Sequence, residues 1–231
     1  RRLDAHLLDA SSDDDIGRLC ELLDAGADVE ARDEYGMTPL MNACSYGEPQ
    51  LVELLLKYGA DISARCFDEG RTALHYAADS SERESIDLLL ARGAELEDRC
   101  RDEGKPPVLY AATIHNTEVL ECLLGHGARI DSRSKTGQTA LHLAVSAGDA
   151  KALSTLLERG VDANIRDIRG ETALDLAEAD EASELCELLR PHTRETPSHQ
   201  LTMAQLHWCL SAVDSSSLAT AVRSFPNLDA P

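Results

Sequence analysis

Two apolar phrases alternate along the chain. One is a Leu-rich run closed by glycine: LLDAGADV at 22–29, then LLLKYGAD, LLLARGAE, LLGHGARI and LLERGVDA at 54–61, 88–95, 123–130 and 156–163. The other opens on glycine and carries paired small residues: GMTPLMNAC, GRTALHYAA, GKPPVLYAA, GQTALHLAV and GETALDLAE. Their opening glycines, Gly36, Gly70, Gly104, Gly137 and Gly170, stand 34, 34, 33 and 33 residues apart. A fixed period of this length is the mark of a repeat architecture, in which each unit buries its apolar face against the next.

Each recurring letter has a physical task. The opening Gly permits a positive φ in a tight turn. Thr38, Thr72, Thr139 and Thr172 are placed to cap the helix that follows, and Pro39 suits a first helical turn, where no N–H is required. Leu40, Leu74, Leu141 and Leu174 are expected in the core. Small pairs such as Ala77-Ala78 and Ala111-Ala112 let neighbouring helices approach. The Leu-Leu run anchors a second helix, which Gly59, Gly93, Gly127 or Gly160 ends in a left-handed cap. One unit is therefore a turn, a short helix, a loop, a second helix and an extended return.

The period and the T-P-L-H-x-A phrase resemble the ankyrin repeat. The resemblance runs from about Leu3 to about Arg190. It implies an all-α solenoid of stacked helix-turn-helix units with β-turn fingers, in a domain covering 1–190. The units fall approximately at 3–35, 36–69, 70–103, 104–136, 137–169 and 170–190. The first lacks the phrase, as a terminal cap does, and Ser11-Ser12-Asp13-Asp14-Asp15 reads as its inter-helix loop. The fourth departs from the pattern: Pro106, Val108 and Leu109 replace Thr, Leu and His, so Thr–His bonding is lost and a changed helix start is expected. In the sixth, Asp175 stands where His75 and His142 stand. Beyond it, 191–200 reads as a linker. Residues 201–231, with Leu206-His207, Trp208, Leu218 and Val222, read as a degenerate helical cap. The rival reading there is a free helix pair or the start of another domain.

Composition agrees with helices. Aromatic residues are only 3%, so a core must come from Leu, Ala, Val and Ile, and strand-favouring residues are scarce. The formal net charge of -20 makes nucleic acid a poor partner and attracts basic protein segments, although it also serves plain solubility. Charge is uneven: residues 1–35 hold 11 acids and 4 bases, and residues 171–187 hold 7 acids and no base, while the fingers between are near neutral. The seven cysteines are odd in number and form no C-x-x-C, which reads as free thiols in a reducing compartment, cytoplasmic or nuclear. No apolar run suits a membrane span. The chain opens on Arg1 rather than Met, and so reads as a piece of something longer.

Catalytic constellations are not legible. No phosphate-binding loop, no G-x-S-x-G and no H-E-x-x-H occurs. No cofactor or metal is expected: the equivalence of Cys66 and Cys100 in adjacent units suggests a bridge, but a stacking distance of roughly 10 Å is too long for one. His75 and His142 read as structural. Asn164 resembles asparagines that ankyrin proteins offer to hydroxylases, with a turn hydrogen bond as the plainer role.

The resemblance implies a protein or peptide partner, bound on the concave side by the fingers and first helices of a monomer. Carried over by register, the partner-binding residues are Tyr35, Met37, Phe67, Glu69, Arg71, Arg101, Glu103, Lys105 and Lys135 on the fingers, with Gln138 and Arg169 in the same row. The inner-helix residues are Tyr46, Asp79, Ser80, Thr113 and Ile114, with Ser45, Ser146 and Ala147 alongside. Tyr35, Tyr46, Phe67 and Ile114 are large apolar groups at outward positions, either interface anchors or packing for the next finger. RCFDEG and RCRDEG are one residue longer than the other fingers, which marks the third and fourth units as the centre of a site or reflects chance variation. Arg32, Arg65, Arg99, Arg133 and Arg166 form a column that either grips a partner's carboxylates or pairs with acids of the neighbouring unit. The function expected is a scaffold or adaptor. The alternative is the substrate-targeting domain of a larger enzyme whose catalytic part lies outside this sequence.

Overall fold

The elements follow from the two phrases. In the computed structural model, which describes residues 2–12, 15–80 and 82–193, the first helices of successive units are α1 (Arg2–Ala10), α3 (Pro39–Tyr46), α5 (Ala73–Asp79), α7 (Pro107–Ala111), α9 (Ala140–Ala147) and α11 (Ala173–Ala179). The second helices are α2 (Ile16–Asp24), α4 (Pro49–Lys57), α6 (Arg83–Ala91), α8 (Thr117–Gly125), α10 (Ala150–Glu158) and α12 (Ser183–Leu189). A single 3-10 turn, Arg190–His192, follows and takes in the first two residues of the expected linker. The reading of 201–231 lies outside the described residues. Among those residues there is no strand.

The helices stack in two layers. First helices pack on first helices (α3 on α5, α5 on α7, α7 on α9, α9 on α11), and second on second (α4 on α6, α6 on α8, α8 on α10, α10 on α12). One continuous apolar seam runs between the layers, from Leu7 through Leu40, Leu55, Leu74, Leu89, Leu109, Leu123, Leu141 and Leu156 to Leu189. The four core leucines expected from the phrase are not equal. Leu40, Leu74 and Leu141 are each 1% exposed, whereas Leu174, in the sixth unit, is only partly buried.

Helix starts are fixed by side chains. Thr38 accepts a hydrogen bond from the Met41 N–H at 3.3 Å. Thr72 with His75, and Thr139 with His142, form capping boxes; Thr172 with Asp175 forms a third, so aspartate replaces histidine without loss of the box. The histidines reach further. His75 Nε2 lies 3.1 Å from the Lys105 carbonyl and His142 Nε2 lies 3.0 Å from that of Glu171, each bond joining a first helix to the next unit's finger. In the fourth unit Pro106 supplies no side-chain cap and α7 shortens to 5 residues, as the lost Thr and His imply. His115 and Glu181, with φ of 52 and 54, take the left-handed position that Gly47 and Gly148 occupy in the second and fifth units.

Candidate partner-binding surface

The fingers are built from short hairpin-like closures. In the shorter ones the pairing spans four residues: Asp33 N–H to the Met37 carbonyl, Ser134 to Gln138 and Asp167 to Glu171. In the longer ones it spans five: Cys66 to Arg71 and Cys100 to Lys105. Asp33, Ser134 and Asp167 also accept backbone N–H bonds through their side chains to hold the turn. In the longer fingers a cysteine takes this task, the sulfur of Cys66 accepting from Arg71 N–H and that of Cys100 from Lys105 N–H, both at 3.3 Å. The equivalence of the two cysteines is thus turn closure, and both are free thiols.

Adjacent fingers are tied by one backbone bond each. Phe67 N–H donates to the Tyr35 carbonyl, Arg101 to Glu69, Lys135 to Glu103 and Ile168 to Thr136. Below this row the arginine column performs neither of the tasks expected of it as a whole. Arg32, Arg65 and Arg99 each donate one Nη1 to the carbonyl of their own finger glycine and to the carbonyl of the next column arginine. Arg133 continues the series to the Arg166 carbonyl. Arg65, with Asp98, and Arg166, with Asp175 at 3.5 Å, also pair with an acid of the following unit. The column is a staple between backbones, and its guanidiniums are committed to it.

This sorts the expected partner-binding residues. Tyr35 and Phe67 are each 55% exposed and Tyr46 is 62% exposed. Phe67 also packs under the neighbouring finger, its ring lying against Gly36 and 5.4 Å from the Arg32 guanidinium, as the packing reading expects. Met37 is partly buried. Arg71 is an internal hub, with its guanidinium 4.3 Å from the Tyr110 ring centre, 5.7 Å from that of Tyr76, and paired with Glu69 and Asp79. Burial alone would lower its pKa, but Tyr110, Glu69 and Asp79 outweigh that and hold it above the ordinary value. Lys105 pairs with Glu103 at 2.9 Å over the same Tyr110 ring. Arg101 donates to the Phe67 carbonyl at 2.9 Å, and Lys135 Nζ bonds the Arg101 carbonyl. The hydroxyls of Ser80 and Thr113 are turned back to carbonyls of their own helices, those of Ala77 and Tyr110. Ile114, expected to face out, is partly buried against the core, and Ser80 and Ala147, at the equivalent place in their units, are partly buried too. Gln138 and Ala147 are partly buried; Arg169, Ser45 and Ser146 are exposed. Asn164 makes the turn bond, its N–H and Nδ2 reaching Asp162 Oδ1 at 3.0 and 2.9 Å.

Three features escaped the sequence reading. Tyr76 and Tyr110 sit beneath the longer fingers with their hydroxyls on the sulfurs of Cys66 and Cys100, and burial pushes both phenols up. The signal was a co-occurrence: tyrosine takes this helix position only in the two units whose finger is longer and carries cysteine. Ile168, at a finger tip, is 72% exposed. Two surface depressions also flank the first fingers. One, of about 210 Å³, is lined by Tyr35, Met37, Cys66, Asp68, Glu69, Arg71 and Tyr76. The other, of about 660 Å³, lies between α1 and the first finger and gathers Asp4, Asp9, Asp28, Glu30, Asp33 and Glu34 against one base, Arg32.

Comparison with known proteins places this architecture. The family model described as ankyrin repeats (3 copies) matches residues 7–100 and 108–200. A chain in the complex of a predatory endopeptidase, Bd0816, from Bdellovibrio bacteriovorus with the immunity protein Bd3460 superposes with a TM-score of 0.73 at 27% identity, over 81% of this chain and 98% of that one. The ankyrin repeat domain of Bcl-3, a member of the IkappaB protein family, does so with a TM-score of 0.65 at 30% identity, over 75% and 76%. Among curated relatives, the 2-5A-dependent ribonuclease of Mus musculus is 44% identical over 59 residues, 25% of this chain and 8% of that protein. The E3 ubiquitin-protein ligase XBAT33 of Arabidopsis thaliana is 42% identical over 52 residues, 22% and 10%. The chain thus spans about a tenth of the length of such relatives. Ankyrin repeats are protein-interaction modules, and among the described residues no helix is long and apolar enough to cross a membrane. Repeat period, capping boxes, stapled fingers and family match agree: the chain belongs to the ankyrin-repeat family.

Proposed function

We propose that this chain is a scaffold or adaptor module that binds a partner protein through its finger edge and first helices, centred on Tyr35, Tyr46 and Phe67. The observation that carries the reading is the exposure of these three rings beside neutralised fingers. Arg71, Lys105, Arg101 and Lys135 are spent on internal bonds, so the edge offers aromatic and apolar area in place of free cations. Rigid aromatic groups of this kind supply binding energy at low entropic cost. The acidic depression between α1 and the first finger adds a place for a basic segment of the same partner, steered in by the negative field.

A second reading has a specific observation behind it. Curated relatives include a ribonuclease and a ubiquitin ligase, in each of which the matching stretch is a small part. In that case the same surface selects the substrate of a larger enzyme.

The test is affinity capture with the 231-residue chain and with a Tyr46→Ala/Phe67→Ala variant, each repeated at low and high salt. The proposal expects a defined protein retained by the wild type, reduced at least tenfold by the variant and weakened by salt. Equal capture by both chains would remove the finger edge from the account.

A further inference from the structure

Outside the finger edge, one cluster of ligand-type side chains crosses between two units. Asp87 lies on α6, Cys122 on α8, and His126 is the C-cap residue of α8. The Cys122 sulfur is 3.3 Å from Asp87 Oδ1 and His126 Nε2 is 2.8 Å from the same oxygen. One carboxylate oxygen, the sulfur and one ring nitrogen all lie within 4.8 Å of one another, an arrangement that no other three such residues reach among the described residues. We propose that Asp87, Cys122 and His126 form a divalent-metal site of the zinc class, clasping the second helices of the third and fourth units.

The chemistry of the donors selects the metal. One thiolate, one imidazole and one carboxylate suit a borderline ion such as Zn²⁺ and are a poor set for Mg²⁺ or Ca²⁺, which want oxygen alone. The i, i+4 spacing of Cys122 and His126 puts both on one face of α8. Arg83 Nε sits 3.5 Å from the other oxygen of Asp87, orienting that carboxylate so that Oδ1 faces the sulfur and the ring. Asp87 and His126 side chains are each 43% exposed, which leaves an entry path and a fourth position for water, while Cys122 is buried beneath them. On binding, the Cys122 S–H is replaced by a sulfur–metal bond and its proton leaves to solvent. His126 Nε2 gives up its hydrogen bond to Asp87 and donates its lone pair, the ring proton residing on Nδ1. No electron changes hands.

Packing does not demand this pair. Where the fourth unit has Cys122 and His126, the second has Leu54 and Tyr58, the third Leu88 and Arg92, and the fifth Thr155 and Arg159. The same stack is built with leucine and arginine, so Cys122→Leu and His126→Arg are substitutions that this scaffold already accommodates elsewhere.

The experiment is a titration of the reduced, chelator-stripped 231-residue chain with Co²⁺, followed by Zn²⁺. The expected result is one equivalent of Co²⁺ with a near-ultraviolet thiolate-to-cobalt charge-transfer band, displaced by Zn²⁺. The band is lost in Cys122→Leu, weakened at least tenfold in His126→Arg, and retained in Cys20→Ser and Cys209→Ser. Zinc should also raise the melting temperature of the wild type and leave that of Cys122→Leu unchanged. Absence of the band in the wild type, its persistence in Cys122→Leu, or an equal thermal shift in both overturns the proposal.

Discussion

His75 offers the most quantitative test of how the units are joined. Its ring is buried, with Nδ1 accepting from the Thr72 N–H at 3.1 Å and Nε2 facing the Lys105 carbonyl of the next finger at 3.1 Å. The single ring proton therefore sits on Nε2, and a second would have to face the Thr72 donor. Burial, with its neighbours, lowers the pKa from 6.5 to about 4. At pH 7, His75→Leu removes the capping-box partner and the inter-unit bond, each worth about 1 kcal/mol, so a cost of about 2 kcal/mol is expected. As pH falls through 6.5 the unfolded chain takes up a proton that the folded chain refuses, so wild-type stability from this group is lost; the loss saturates below the folded value. The linkage removes about 1 kcal/mol between pH 7 and 5.5 and about 2 kcal/mol by pH 5. Subtracting variant from wild type at each pH cancels the carboxylates common to both, and the isoelectric point of about 4.6 sets the lower limit of the titration. Urea unfolding followed by circular dichroism should show the cost of His75→Leu shrinking toward zero at pH 5. A cost that stays constant or grows on acidification would refute the assignment of a neutral, bridging His75.

The remaining predictions concern the fingers and the core. Gly36→Ala should cost about 1 kcal/mol for its φ of +75 and more again because a Cβ there meets the Phe67 ring, whereas Gly59→Ala, at φ +85 with open space, should cost only the first amount; paired urea titrations decide. Arg99→Met should cost about 1 kcal/mol through its two carbonyl bonds, and should raise amide hydrogen exchange in the third and fourth fingers without changing α5 or α9. Cys44, wholly buried and with its thiol pushed up by that burial, should resist alkylation in the native state, while the partly exposed Cys20 reacts; mass spectrometry after a timed iodoacetamide pulse checks this.

What was legible before the structure was what the repeat enforces locally. Spacing and cap residues place the helices because Thr38, Thr72 and Gly59 act on neighbours a few residues away. What escaped depends on the next unit. The arginine column looked like a set of free cations or acid pairs, yet its partners are carbonyls about 33 residues on, which side-chain pattern does not encode. Arg71 and Lys105 were read as exposed finger cations, and their hold over Tyr110 was not foreseen, since their tyrosine and acid partners come from both finger and helix. Ile114 read as an outward group, yet it also packs on the core, a tertiary contact that its place in the phrase does not encode. The finger glycines were understood as turn residues, although at Gly36 and Gly70 the close approach of Phe67 and Arg101 is a second requirement.

The central claim is that partner contact belongs to the finger edge and not to the second-helix face. Site-specific photo-crosslinking measures this directly, with a photoreactive phenylalanine at Tyr35, Tyr46 and Phe67 on one side and at Glu53 and Arg92 on the other. All five side chains are exposed, so labelling efficiency is comparable. The account predicts one covalent adduct with a defined protein from the three finger and first-helix positions and none from the two second-helix positions. Adducts from Glu53 or Arg92 alone, or equally from all five, would contradict it.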